Sequence, residues 1–195
     1  MTKKEPPVFY PTTVSEWRNW LEKNHLSEQA VWVVFYRKSS PKKSLTWSEA
    51  VDVALCFGWI DSKKIKIDEE TSHQYFSKRK PVSTWSKINK DKVEVLIEKG
   101  LVTPAGFESI ETAKQNGSWS LLDEVEALVV PEDLEAAFDN HPGSRGFYEG
   151  LSKSAKKGIL HWVVLARRPE TRAKRIAEVI ENATQGLLPR HMQTW

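Results

Sequence analysis

A single cysteine, Cys56, stands among the 195 residues. One thiol cannot close an internal disulfide, so no disulfide framework holds the fold. Cys56 lies in the apolar stretch Val53-Ala54-Leu55-Cys56-Phe57. There it reads as a buried small hydrophobe, and it fits a reducing compartment. Long apolar runs are missing too. A membrane helix needs about 18–20 consecutive apolar residues. The best stretch, Ile159 to Ala166, is far shorter and includes His161, which reads as a core histidine. No apolar segment follows the basic start Met1-Thr2-Lys3-Lys4. Membrane insertion and a secretory signal are therefore not expected, and a cytoplasmic setting is.

Several kinds of chemistry also lack their residues. The five histidines are scattered, and none sits three or four residues from another, where two imidazoles would share a helix face. No metal site and no cofactor is expected. There is no P-loop, no Gly-x-Gly-x-x-Gly and no Gly-x-Ser-x-Gly nucleophile elbow. Gly143, Gly146 and Gly150 flank Arg145 and read as loop punctuation.

What is present suffices for a core: hydrophobic residues make up 39% of the chain, and nine are tryptophan. The net charge of +3 hides segregation. Residues 108–140 carry one basic and nine acidic groups, while residues 151–195 carry nine basic and three acidic ones. Either the acidic helices neutralise the basic ones internally, or an exposed charged face serves a partner.

The coarse order of elements follows from caps and periodicity. Thr13-Val14-Ser15-Glu16 and Thr46-Trp47-Ser48-Glu49 are capping-box patterns that open two helices, the first with Trp17, Trp20 and Leu21 inward. Ala30 to Tyr36 is β-branched and aromatic, hence a strand. Trp59 to Ile67 and Ser72 to Arg79 read as a hairpin, with Trp59, Asp61, Lys63, Ile65 and Ile67 on one face. Ser86 caps a helix to about Lys99 with Ile88, Val93 and Leu96/Ile97 inward, and Thr103-Pro104 opens the next. Pro131 starts a short acidic helix that His141-Pro142-Gly143 ends. Ser152 or Ser154 opens another, and Pro169 starts the last, with Ile176, Ile180, Ala183 and Leu187 as its apolar stripe.

The expected fold class is α+β: a small antiparallel sheet with flanking helices, followed by a helical C-terminal part. Residues 1–100 form the α+β part with its hairpin at about 59–79. Residues 101–195 form the helical part, the two making one compact unit.

One constellation carries chemistry. Asp61 falls on an apolar strand face, where a carboxylate is costly unless paired. The hairpin returns Arg79 near it, so an Asp61–Arg79 pair is expected, either fixing register or serving a ligand. Ser83 and Ser86 then open a helix whose N-terminus suits an anion. Trp59, Trp85 and Asn89 complete the group, and Lys78, Lys80, Lys87, Lys90 and Lys92 surround it. A cation, a helix N-terminus and flat aromatic surfaces suit a phosphate, a nucleotide or single-stranded nucleic acid. Arg168, Arg172 and Arg175 form a possible second basic patch, or pair with the acidic 123–139 segment.

The segments 55–62 (Leu-Cys-Phe-Gly-Trp-Ile-Asp-Ser), 76–81 (Phe-Ser-Lys-Arg-Lys-Pro), 83–89 (Ser-Thr-Trp-Ser-Lys-Ile-Asn), 103–106 (Thr-Pro-Ala-Gly) and 166–176 (Ala-Arg-Arg-Pro-Glu-Thr-Arg-Ala-Lys-Arg-Ile) resemble the YdeI/OmpD-associated family. This is also called the OmdA or bacteriocin-protection family. The resemblance runs from about Phe9 to Leu187. It implies a link to resistance against bacteriocins and cationic antimicrobial peptides, and it brings no catalytic residue with it.

The sequence thus points to a non-catalytic binding module for an anionic ligand or partner, with Trp59, Asp61, Arg79, Ser83, Trp85, Ser86 and Asn89 as its site. One alternative is an enzyme on a small phosphorylated or nucleotide substrate, with Asp61 as general base. Another is an adaptor that binds a cationic peptide through the acidic 123–139 segment. Nothing in the sequence signals an oligomeric state.

Overall fold

The computed structural model describes residues 5–193. The Lys3-Lys4 start and Trp195 lie outside the described residues. The chain divides into two units, residues 1–119 and 120–195.

The first unit runs β1 (Val8–Phe9), α1 (Val14–Asn24), β2 (Ala30–Tyr36), α2 (Trp47–Cys56), β3 (Trp59–Lys66), β4 (Thr71–Lys78), α3 (Lys87–Glu98) and α4 (Pro104–Gln115). The sheet order is β1-β2-β4-β3. β2, β4 and β3 are antiparallel neighbours, as expected, but β1 adds a parallel edge against β2, so the sheet is mixed. Two residues are too short to announce a strand by alternation. Val8 and Phe9 become one because the ladder to Trp32 and Val33 is available.

Local signals place the helices. Thr46 and Glu49 close a full capping box on α2. Thr13 caps α1, but Glu16 turns its carboxylate to the backbone and hydroxyl of Thr12 instead. Trp17 and Leu21 of α1, Ala50, Val51 and Leu55 of α2, Val31 and Val33 of β2, and Phe76 of β4 make one core. Burying an aromatic of about 150–250 Å² at about 25 cal/mol per Å² contributes roughly 4–6 kcal/mol. Trp17 does so and still satisfies its indole N–H on the Ala50 carbonyl, at 3.0 Å.

The first unit reaches past residue 100 because Ile110 and Ala113 of α4 lie in this core. On α3, Val93 and Leu96 are buried, whereas Ile88 and Ile97 face solvent. The hairpin forms as expected, with one difference in its faces. Asp61 pairs with Phe76 and Lys64 with Gln74, so β3 carries one extra residue between them. That bulge flips the alternation. Trp59 and Asp61 share the face of Phe76, while Ile65 and Ile67 turn outward and are exposed. Gln74, itself buried, donates to the Ser62 carbonyl at 3.0 Å and so satisfies backbone freed by the bulge.

The second unit is helical: α5 (Asp123–Glu126), α6 (Glu132–Asp139), α7 (Pro142–Glu149), α8 (Lys153–Val164), α9 (Pro169–Thr184) and a 3₁₀ turn (Arg190–Met192). Its core gathers Leu134, Phe138, Tyr148, Ile159, Leu160, Val163, Val179 and Ile180. α7 corrects the reading of Gly143 and Gly146 as loop punctuation. Pro142 opens it, and the buried Ser144 and Tyr148 hold it in the core. Ser152 caps α8. His161 is exposed on that helix, not a core residue. Leu187 drops out of the α9 stripe because the helix stops at Thr184 and Gly186 turns the chain with φ +71°.

Candidate functional site

The backbone sets Arg79 in place first. Its N–H donates to the Gly58 carbonyl at 2.9 Å, closing the start of the β3–β4 hairpin. The side chain then turns onto Trp85, with Cζ 3.8 Å from the ring centre. Nη1 donates to the Thr84 carbonyl at 2.9 Å. Nε and Nη2 are buried and find no hydrogen-bond partner among the described residues. Burial pulls the Arg79 pKa down to about 10, against the opposing pull of the Asp61 charge.

Two more buried donors stand without partners in the same unit: the indole N–H groups of Trp59 and Trp85. Buried polar groups are nearly always satisfied, so three such side chains in one unit require a cause. Trp85 is packed in turn by Trp119 at 4.9 Å, and Trp59 by Trp20 at 6.0 Å.

Arg79 and Trp59 line a cavity of about 240 Å³. Phe57, Gly58 and Pro81 add apolar wall, and Ala105, Glu108, Ser109 and Thr112 of α4 form the facing side. Gly58 is required there. Its φ is +68°, and a Cβ would meet the Ala105 carbonyl oxygen at 2.9 Å and Ser109 Cβ at 3.0 Å. His25 lines the cavity from the end of α1. Its Nδ1 lies 2.8 Å from the Leu21 carbonyl, which can only accept, so Nδ1 carries the proton.

The sequence-derived residues separate on this geometry. Trp59 and Arg79 line the cavity, and Trp85 backs the guanidinium. Asp61 does not line it. Its carboxylate accepts from the Trp47 indole at 2.9 Å and from Gln74 at 3.2 Å. No ion pair joins it to Arg79 among the described residues, because its own strand position opposes Phe76. Ser83 sits in a turn closed by its N–H on the Lys80 carbonyl. Ser86 spends its hydroxyl capping α3 at Asn89 N, 3.3 Å away. Neither these serines nor Asn89 lines the cavity.

Sequence reading missed His25, Glu108, Ser109 and Thr112. A signal for the last three existed: with Ala105 they are spaced three, four and seven residues along α4, a single helix face. His25 lies too far along the chain for any spacing to connect it.

The larger hollows lack such donors, as two of them show. One, on the outer face of the sheet, is walled by Trp32 and Tyr75 with the Lys63 ammonium over both rings. The other lies between α6 and α9, where Arg172 holds both oxygens of Asp133, Nε at 2.5 Å and Nη2 at 2.8 Å. The Arg168, Arg172 and Arg175 patch is thus broken up. Arg172 serves Asp133, Arg175 donates to the Trp162 carbonyl, and only Arg168 is exposed at the start of α9. The acidic segment is likewise engaged within its unit. Glu126 pairs with Lys157, and Glu135 and Asp139 pair with Arg145. No group of histidine, cysteine or carboxylate side chains that could hold a metal ion occurs among the described residues. No helix there is long and apolar enough to cross a membrane.

Residues 9–109 match a family described as Domain of unknown function (DUF8412). Residues 127–186 match the family described as Bacteriocin-protection, YdeI or OmpD-Associated. The expected resemblance over 9–187 therefore falls into two pieces. The Gly58-Trp59-Ile60-Asp61 and 83–89 segments lie in the first match, and the arginine-rich start of α9 lies in the second. No curated protein and no solved structure matches the chain. The first match spans just over half of the residues, so the chain belongs to the DUF8412 family, and it carries a Bacteriocin-protection, YdeI or OmpD-Associated segment at 127–186.

Proposed function

We propose that the first unit is a non-catalytic binding module for an anionic ligand, within a chain of bacteriocin-protection type. One observation carries this reading: Arg79 is a half-buried cation whose Nε and Nη2 are buried and find no partner among the described residues, and the residue lines a cavity. A buried charge left unpaired is expensive. A ligand anion would supply the missing partner through charge-assisted hydrogen bonds, the strong kind. Trp85 stacks on the guanidinium and holds it in place, so little side-chain entropy remains to be lost on binding.

A general-base role for Asp61 has less support. Its carboxylate is spent on Trp47 and Gln74 and does not reach the cavity lining. The acidic 123–139 segment as a cationic-peptide site has less support too, because Lys157, Arg172 and Arg145 already pair with four of its carboxylates.

Calorimetric titration of the whole protein with a panel of small anions tests the reading, with Arg79→Met as control. Saturable binding that Arg79→Met weakens about ten- to a hundredfold is expected, from charged hydrogen bonds of about 1.5–3 kcal/mol. Binding that survives Arg79→Met would place the anion elsewhere.

A further inference from the structure

We propose that the ligand of the Arg79 cavity is a monocarboxylate with a small apolar body. The proposal rests on reading this cavity as an anion site, and it names the anion. The donors of Arg79 without a partner are Nε and Nη2, which lie on one edge of the guanidinium and are closed to solvent in the unliganded protein, so a ligand must part the side chains over that edge to reach them, while Nη1 is committed to Thr84. Two parallel N–H groups on one edge match the two oxygens of a carboxylate. The same chain shows the fit: Arg172 uses its own Nε and Nη2 to hold both oxygens of Asp133.

Charge selects the same class. The charged side chains lining the cavity are Lys78, Arg79 and Glu108, and His25 has its Nδ1 proton on Leu21. Lys78, Arg79 and Glu108 together leave one positive charge, which one carboxylate cancels. A phosphate monoester dianion would overshoot it, and would meet Glu108 across the cavity. Lys78 spends one of its three N–H donors on the Leu26 carbonyl at 2.8 Å.

Size and wall chemistry fill in the body. At about 240 Å³ the cavity is smaller than the roughly 300–1,000 Å³ that encloses drug-sized ligands, so it surrounds a small acid more fully than a nucleotide. Leu26, Phe57, Gly58, Trp59 and Pro81 offer apolar wall beside the guanidinium. The unpaired Trp59 indole N–H supplies one further donor beside that wall.

The test is a titration of the full chain with benzoate, butyrate, inorganic phosphate and adenosine monophosphate. It is followed by calorimetry and by the indole N–H resonances of Trp59 and Trp85, assigned with Trp59→Phe and Trp85→Phe. Benzoate or butyrate should bind at least tenfold tighter than either phosphate compound, and should move at least one of the two indole signals. Arg79→Lys keeps the charge and loses the two-pronged edge, so it should weaken carboxylate binding tenfold or more. Gly58→Ala narrows the cavity with Arg79 intact and should abolish it. Phosphate compounds binding as tightly as carboxylates, through Arg79, would overturn the monocarboxylate and leave the anion site standing. Carboxylate binding untouched in Arg79→Lys would overturn the two-pronged grip. Absence of any Arg79-dependent binding across the panel would overturn both readings.

Discussion

Arg79 Cζ lies 3.8 Å from the centre of the Trp85 ring, yet two of the three guanidinium nitrogens have no acceptor. A stacked cation of this kind is held in shape by the aromatic face while its hydrogen bonds stay unspent. Removing it should therefore cost little. Arg79→Met loses the Thr84 bond, about 1 kcal/mol, and a desolvated cation–π contact of about 2 kcal/mol. It also removes two buried unpaired donors, which cost about 1–3 kcal/mol each. The melting temperature of the unliganded variant should fall no more than about 3 °C, or rise. A drop matching about 3–5 kcal/mol, typical of breaking a buried ion pair, would show that Arg79 has a partner.

Gly58 and Gly100 separate backbone strain from collision. Both have positive φ, +68° and +65°, but a Cβ at Gly100 meets nothing within 4 Å. Gly100→Ala should cost about 1 kcal/mol from backbone conformation alone. Gly58→Ala adds the clash with Ala105 and Ser109, for a total of about 2–4 kcal/mol. Urea denaturation of the two variants measures the difference. Equal costs would mean that α4 does not press on the 57–59 turn.

Asp61 serves as a structural acceptor for Trp47 and Gln74. Asp61→Asn keeps an acceptor oxygen and should lose under about 1 kcal/mol, whereas Asp61→Ala leaves one of the two Gln74 amide hydrogens without its acceptor inside the protein, the other staying on Ser62, and should lose about 1–3 kcal/mol. Affinity at the Arg79 cavity should change by less than about threefold in Asp61→Asn, since a missing distant charge is all that Arg79 would register. Chemical denaturation and calorimetry on the same samples report both quantities.

Stability of the second unit should depend on pH through Asp133. The Arg172 guanidinium holds its carboxyl below the usual carboxylate range. The stabilisation is thus complete above the unfolded value, near pH 4, and is lost as pH falls through the lowered native value. The pair is partly exposed, so it contributes only about 1 kcal/mol. Asp133→Asn should remove that part of the acid sensitivity, seen as a flatter stability curve between about pH 4 and 2.

Cys56 should report opening of the first core. Burial pushes its thiol pKa up, so little thiolate forms at neutral pH. A disulfide reagent should label it at least a hundredfold more slowly in the native protein than in urea. Rapid native labelling would mean that α2 unlatches locally.

The amino-acid sequence alone determined the elements whose causes are local. Thr46, Ser86, Thr103 and Ser152 cap helices where their hydroxyls reach the third helical N–H, and Gly186 ends α9 with positive φ. β-Branched and aromatic composition placed β2, and the hairpin pairing brought Arg79 back beside Gly58. Tertiary structure decided the faces and the partners. The bulge after Asp61 reverses which residues of β3 point inward, because ladder register depends on the partner strand and on Gln74, which no period-2 pattern contains. It gave Asp61 to Trp47 and Gln74 instead of Arg79. It also brought His25 and the Glu108 face of α4 to the cavity across about 30 to 50 residues of chain. Hydrogen bonding over such separations is settled by which groups lack water when the core closes. That is why the unpaired edge of Arg79 is legible only in the folded chain.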